Sequence, residues 1–240
     1  MRRCVRLGRT PADCFHVETA DTCFLIDCGA TALIGLDKLG LDPNRVETIF
    51  LSHLHGDHFA GLVWWLLHGQ HVAKRTAPLT ITGPVTVADR FKAAAEALFP
   101  GSTGVKARFV MNFIEYRQAT PLTVGPVVVT TYEVVHPSGA PPYALRLETG
   151  GKTLAFSGDT HWVESLIEVS RDADLFITEC YAFDADPPYH LGWRTIERHM
   201  PRITARRLML THMNKTMLAN RHQVTDPRVL LAEDGLTIDI

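Results

Sequence analysis

Ser52-His53-Leu54-His55-Gly56-Asp57-His58 is the stretch on which the fold turns. It sets three imidazoles and a carboxylate within positions 53–58. The apolar run Thr48-Ile49-Phe50-Leu51 precedes it and an amphipathic run, Phe59 to Leu67, follows. That order predicts strand, loop and helix. Imidazole and carboxylate donors together suit zinc and related divalent metals. On an extended segment His53 and His55 face the same side, because side chains alternate with a period of two. Asp57 and His58 then fall in the turn that opens the helix, so one short segment can serve two metal ions. A polar loop with chance histidines is the bland alternative; it would hold for a lone histidine, not for this density after an apolar strand.

Working outward, further strands are expected at Cys23–Asp27, Leu79–Thr82, Val127–Val135, Tyr143–Leu147, Thr153–Ser157, Asp174–Thr178 and Arg207–Thr211. Helical patterns cover Ala30–Leu39, His58–Leu67, Val85–Leu98, Val163–Ser170, Gly192–Met200 and Lys215–Asn220. Leu236 to Ile240 reads as a short edge strand. This alternation predicts sheets covered by helices, built as one unit. Three polar residues stand where apolar strands stop: His136, Asp159 and His212. Strand ends on one rim of a sheet converge on one pocket, which makes these three candidate ligands. His16, His68, His71, His161, His199 and His222 are isolated, and the default for each is a surface or hydrogen-bonded structural histidine. His161 stands out because it lies two residues after Asp159.

The chain has 240 residues, enough for one large α/β domain or two small ones with a sizeable core. A formal charge of −2 provides no global basic field for nucleic acid. The five cysteines are odd in number and form no CxxC pair, which argues against a disulfide framework and for a cytoplasmic location. The start, Met1 to Gly8, is basic without an apolar core, and the longest apolar run, Gly61 to Leu67, is too short for a membrane span. No membrane partner is expected.

His53-Leu54-His55-Gly56-Asp57-His58, His136, Asp159 and His212 together resemble the metallo-β-lactamase superfamily in order and context, from Asp27-Cys28-Gly29 to Thr211-His212. The resemblance implies an α/β fold, the four-layer αβ/βα sandwich, as a single domain over residues 1–240. It implies two divalent ions, with zinc preferred and manganese or iron as alternatives. The first ion would take His53, His55 and His136, and the second Asp57, His58 and His212. Asp159 would bridge, and Asp57 counts as catalytic as well as a ligand. Two ions about 3.5–4 Å apart can share one hydroxide and lower its pKa toward neutrality. Asp27 reads equally as an acceptor orienting a ligand imidazole and as a turn residue before Gly29.

Phe176-Ile177-Thr178-Glu179-Cys180, followed by Tyr189-His190-Leu191-Gly192, resembles the ribonuclease Z-like branch. That likeness implies a Glu179–His190 dyad that protonates the leaving group, which matters when a phosphodiester expels an alkoxide. An ion pair for Glu179 and a helix-capping role for His190 are the plainer readings. His190-Leu191-Gly192 departs from the His-Ser-Thr usual in that branch. Only 22 residues separate His136 from Asp159, too few for the tRNA-gripping arm, so tRNA is not expected as a partner. Arg194, Arg198, Arg202, Arg206 and Arg207 cluster, most simply as a solvated face. Trp64 and Trp65 are expected in the core, while His161 and Trp162 are candidates to line a metal cleft. Pro141-Pro142-Tyr143 and Pro187-Pro188-Tyr189 form stiff loops, each tyrosine a candidate ring stacker or loop anchor. The leading expectation is a dinuclear hydrolase of a small-molecule phosphodiester or cyclic nucleotide, acting through a metal-bridging hydroxide. Alternatives are a lactonase or thioesterase with the same metal centre, and a non-catalytic metabolite-binding member. Relatives are often dimers, which leaves a homodimer open.

Overall fold

The computed structural model describes residues 6–10 and 14–240. Contacts divide them into two compact units: residues 6–116 with 234–239, and residues 117–233 with Ile240. In the first unit a sheet is built from β1 (Arg6–Thr10), β2 (Cys14–Glu18), β3 (Cys23–Ile26), β4 (Thr48–Phe50), β5 (Leu79–Gly83) and β6 (Met111–Glu115). Pairing is antiparallel from β1 to β3 and parallel from β3 to β6. In the second unit the strands are β7 (Leu122–Val124), β8 (Val127–Glu133), β9 (Tyr143–Thr149), β10 (Lys152–Phe156), β11 (Leu175–Glu179), β12 (Leu208–Thr211) and β13 (Val229–Leu231). They are antiparallel from β7 to β10 and parallel from β10 to β13. The expected terminal edge strand is present as β14 (Thr237–Asp239), paired antiparallel with β1.

Parallel neighbours require crossovers, and helices supply them. In the first unit these are α1 (Ala32–Lys38), α2 (Gly56–Phe59), α3 (Gly61–Leu67) and α4 (Val87–Leu98). In the second they are α5 (Ser165–Ser170), α6 (Trp193–His199) and α7 (Lys215–Asn220). Strands flanked by crossovers are covered on both faces and read as unbroken apolar runs. Accordingly Cys23 to Ile26 and Leu208 to Thr211 are buried throughout. β8, on the antiparallel side, alternates instead: Val127, Val129 and Thr131 are buried and the residues between them half-buried. Phe24 meets Phe50 edge to face at 5.3 Å in the first core. Phe176, Trp193, Ile196, Leu208, Leu210 and Met217 pack together in the second. No helix among the described residues is long and apolar enough to cross a membrane.

The helix expected over His58–Leu67 is broken. α2 ends at Phe59, α3 starts at Gly61, and the chain continues into a π turn over His68–Val72. Gly61 donates its N–H to the Cys28 carbonyl at 2.9 Å. A Cβ there would sit 2.3 Å from the Gly29 carbonyl oxygen. The break thus comes from a close backbone approach that only glycine permits. Trp65 is buried as expected, but Trp64 is 42% exposed, with its ring against Phe99. Its helical spacing places it one position off the buried face.

Candidate metal centre

β3 and β4 run parallel with Ile26 beside Phe50, so Asp27 and Ser52 emerge together at one rim of the first sheet. Asp27 is fully buried and adopts φ 57°. Its Oδ1 accepts the Ser52 N–H at 2.7 Å and its Oδ2 accepts the Ser52 hydroxyl at 2.8 Å. Oδ2 also lies 2.7 Å from His58 Nδ1. The Ser52 hydroxyl has one proton, which goes to Asp27, so its oxygen accepts from His53 Nδ1 at 3.0 Å. Both imidazoles therefore carry their proton on Nδ1 and their lone pair on Nε2. Burial raises the Asp27 carboxyl pKa, while His58 and Ser52 act against that rise. The His53 ring centroid lies 4.0 Å from that of His58 and 5.0 Å from that of His55. Asp57 places Oδ2 3.7 Å from His58 Nε2. The orienting role for Asp27 accounts for these contacts.

In the second unit β8, β10, β11 and β12 all point one way, because β8 and β10 flank an antiparallel β9 and the rest are parallel. Chain segments carrying His136, Asp159, Glu179 and His212 leave the same rim. Asp159 turns one oxygen to each histidine: Oδ2 lies 3.9 Å from His136 Nε2 and Oδ1 3.6 Å from His212 Nδ1. His136 Nδ1 donates to the Tyr189 carbonyl at 3.1 Å, which leaves its lone pair on Nε2, toward Asp159. Glu179 is buried at the last position of β11. Its Oε1 accepts the Thr160 N–H, and its Oε2 lies 3.0 Å from His190 Nδ1 and 3.7 Å from His212 Nδ1. The hydrogen bond to Glu179 raises the His190 pKa, against the lowering effect of burial. Tyr181 stacks on the His190 ring at 4.7 Å and 23°.

Within the first unit, ligand-capable atoms of Asp27, His53 and His58 lie within 4.8 Å of one another. Within the second, the same holds for His136, Asp159 and His190, and for Glu179, His190 and His212. Imidazole nitrogens with their tautomers set by fixed partners, next to buried carboxylates, are the donors a divalent cation takes. These clusters are consistent with a metallo-β-lactamase metal site.

The remaining candidates separate. Tyr143 is buried as the first residue of β9 rather than in a loop, whereas Tyr189 is exposed. Trp162 stacks on His199 at 3.7 Å. Arg194, Arg202 and Arg206 meet Glu197, Glu164 and Asp174, as a solvated face would. His16 is a buried structural histidine, 3.0 Å from Cys23 Sγ. Ser52 and Tyr181 belong to the site without a sequence signal of their own, since a serine before a histidine or a tyrosine after a strand is unremarkable.

Residues 14–235 match the family model described as Anti-Pycsar protein Apyc1. The chain belongs to that family. This Apyc1-family chain is 29% identical over 203 residues to "Probable metallo-hydrolase YhfI" of Bacillus subtilis, covering 82% of its own length and 77% of the relative's. Ribonuclease Z of Geobacillus kaustophilus is 25% identical over 263 residues, covering 88% and 82%. The crystal structure of the Bacillus subtilis YhfI protein, titled a metallo-beta-lactamase fold protein, superposes with a TM-score of 0.78. It does so at 23% identity, over 99% of this chain and 100% of that one. The Apyc1-family chain thus has the metallo-β-lactamase fold, α/β with two mixed sheets.

Proposed function

We propose that the chain is a dinuclear metal-dependent phosphodiesterase acting on small phosphodiesters, cyclic nucleotides foremost. The observation that carries this reading is the buried Glu179 carboxylate 3.0 Å from His190 Nδ1, on the rim that also bears Asp159 and His212. Displacement at phosphorus expels the alkoxide as the nucleophile enters, so a positioned proton donor matters more there than in acyl transfer. The Apyc1 family model fits a cyclic-nucleotide substrate.

In this reading His53, His55 and His136 would hold one cation, and Asp57, His58 and His212 the other. Asp159 would serve both, which its one-oxygen-per-histidine disposition favours. Zinc suits the imidazole-rich set, with manganese and iron also accepted by such donors. Bound there, the cations would supply a Lewis acid for a phosphoryl oxygen and a nucleophile from water at neutral pH. The chain's own residues then set orientation and proton flow. Asp27 and Ser52 fix the His58 and His53 rings. His190 has Nδ1 committed to Glu179, so Nε2 is the atom that gives its proton to the departing oxygen as the P–O bond breaks. Glu179 stabilises the imidazolium before transfer and orients the neutral ring afterwards. With 22 residues between His136 and Asp159, a tRNA-gripping arm has no room, which favours small substrates. Among the described residues Cys14, Cys23, Cys28 and Cys180 are buried and not joined in disulfides, in keeping with a cytoplasmic protein.

The test is a parallel assay of metal-loaded protein on bis-nitrophenyl phosphate, 3′,5′-cyclic nucleotides, lactones and thioesters. Phosphodiester turnover that a chelator abolishes is expected. Turnover of acyl substrates alone would overturn the assignment.

A further inference from the structure

Tyr189 holds its backbone at φ 65°, in the left-handed region. A bulky residue is strained there, and glycine is the ordinary occupant. The local contacts require that conformation. His190 N–H donates to the Pro187 carbonyl at 3.1 Å, closing a turn, and the Tyr189 carbonyl accepts from His136 Nδ1 at 3.1 Å. Glycine would make both backbone contacts without strain, so the phenol ring needs a reason of its own.

Core packing is not that reason, because Tyr189 is 46% exposed while Tyr143, which follows the other proline pair at the start of β9, is 5% exposed. The Tyr189 ring lies 22° from parallel with His161, their centroids 6.4 Å apart. Trp162 and His199, in direct face contact, are 3.7 Å apart. Tyr189 and His161 therefore present roughly parallel aromatic surfaces without covering each other. Both are fixed at the ligand rim. Tyr189 precedes His190, and His161 follows Asp159-Thr160, whose amide is bonded to Glu179 and whose hydroxyl donates to the His161 carbonyl.

We infer that Tyr189, with His161 beside it, is the specificity-determining surface of this site and stacks on the nucleobase of the substrate. The inference rests on the phosphodiesterase reading above. Every nucleobase has a π-face, so a stacking surface grips purines and pyrimidines alike and needs no hydrogen-bond match to a particular base. A base held there lies one residue from His190, which orients the phosphate ester relative to its proton donor.

Tyr189→Gly is the informative variant. It keeps the left-handed backbone and the carbonyl that His136 uses, and removes only the ring. The quantity to read is the ratio of kcat/KM for a 3′,5′-cyclic nucleotide to that for ribose 3′,5′-cyclic phosphate, which has no base. Tyr189→Gly should lower this ratio by about 5- to 150-fold, Tyr189→Phe should restore it, and His161→Ala should lower it less. An equal loss on both substrates, or an unchanged ratio, would overturn the inference. Calorimetric binding of a nucleoside monophosphate to metal-loaded protein provides a readout independent of turnover. If the protein hydrolyses no phosphodiester yet binds the nucleotide, and Tyr189→Gly weakens that binding, the catalytic reading fails and the stacking surface stands. Binding that is absent, or indifferent to the ring, overturns the stacking surface.

Discussion

Glu179 Oε2 lies 3.0 Å from Nδ1 of His190, and the same carboxylate's Oε1 accepts the backbone N–H of Thr160, the residue after Asp159. One buried side chain thus fixes both the proposed proton donor and the loop of the proposed bridging ligand. This economy follows from topology. β10 and β11 are parallel neighbours, so the residues that follow β10 sit beside the last residue of β11.

His190→Ala should retain both metals by elemental analysis and slow alkyl phosphodiesters by about 10²- to 10⁴-fold. The loss should shrink with nitrophenyl esters, whose leaving group barely needs a proton. An equal loss on both substrate classes would remove His190 from the general-acid role. The pH dependence follows the same logic. Glu179 raises the His190 pKa, so the acidic form persists above the ordinary histidine value and activity falls as pH rises through the raised pKa. Glu179→Gln removes the charge and should move the alkaline limb of kcat/KM to lower pH; a limb that stays in place would count against the pairing.

Asp27 is buried and accepts from both Ser52 and His58. Asp27→Asn keeps the size but cannot hold the His58 tautomer in the same way. Metal affinity should drop by about 10- to 100-fold, read by competition with a chromophoric chelator. Unchanged affinity would reduce Asp27 to a turn residue.

Arg75 is buried, and among the described residues its hydrogen bonds go to backbone carbonyls. Its guanidinium donates to the carbonyls of Pro43, Asn44, Val46, Ala77 and Pro78, tying the loop before β4 to the loop before β5. Burial lowers its pKa, but arginine stays charged. Arg75→Met strands the buried Val46 carbonyl, leaves the part-buried acceptors to water, and should cost about 1–3 kcal/mol, a drop of roughly 2–12 °C in Tm. A drop under about 2 °C would show that water replaces the guanidinium there.

His16 is buried against Cys23, whose thiol burial pushes up to about 12, while burial lowers the His16 pKa from 6.5. The folded state therefore favours neutral imidazole. Its contribution is complete above the unfolded value of 6.5 and is lost as pH falls from there through the lowered folded pKa. Urea midpoints at pH 7.5 and 5.5 should differ less in His16→Gln than in the parent protein. An identical difference in both would place the acid sensitivity elsewhere.

Much of the candidate site was legible because its donors are contiguous or stand at strand ends. His53, His55, Asp57 and His58 fall within one short run, and His136, Asp159 and His212 each follow an apolar strand. The Ser52 relay and the Tyr189 carbonyl were not legible. Both depend on backbone geometry that residue identity does not encode, φ 57° at Asp27 and φ 65° at Tyr189. The break at Gly61 was hidden for a related reason: the helical period runs through it, and the approach of Gly29 is a tertiary event. Trp64 and Trp65 looked alike because adjacent helical positions carry the same hydrophobic signal, though only one faces inward.

The central claim is that water attacks phosphorus. The direct measurement is ³¹P NMR of a 3′,5′-cyclic nucleotide incubated with metal-loaded protein in H₂¹⁸O. The expected result is a nucleoside monophosphate carrying one ¹⁸O on phosphorus, with the reaction stopped by a chelator. A cyclic nucleotide left intact by protein that opens a lactone or thioester would contradict it.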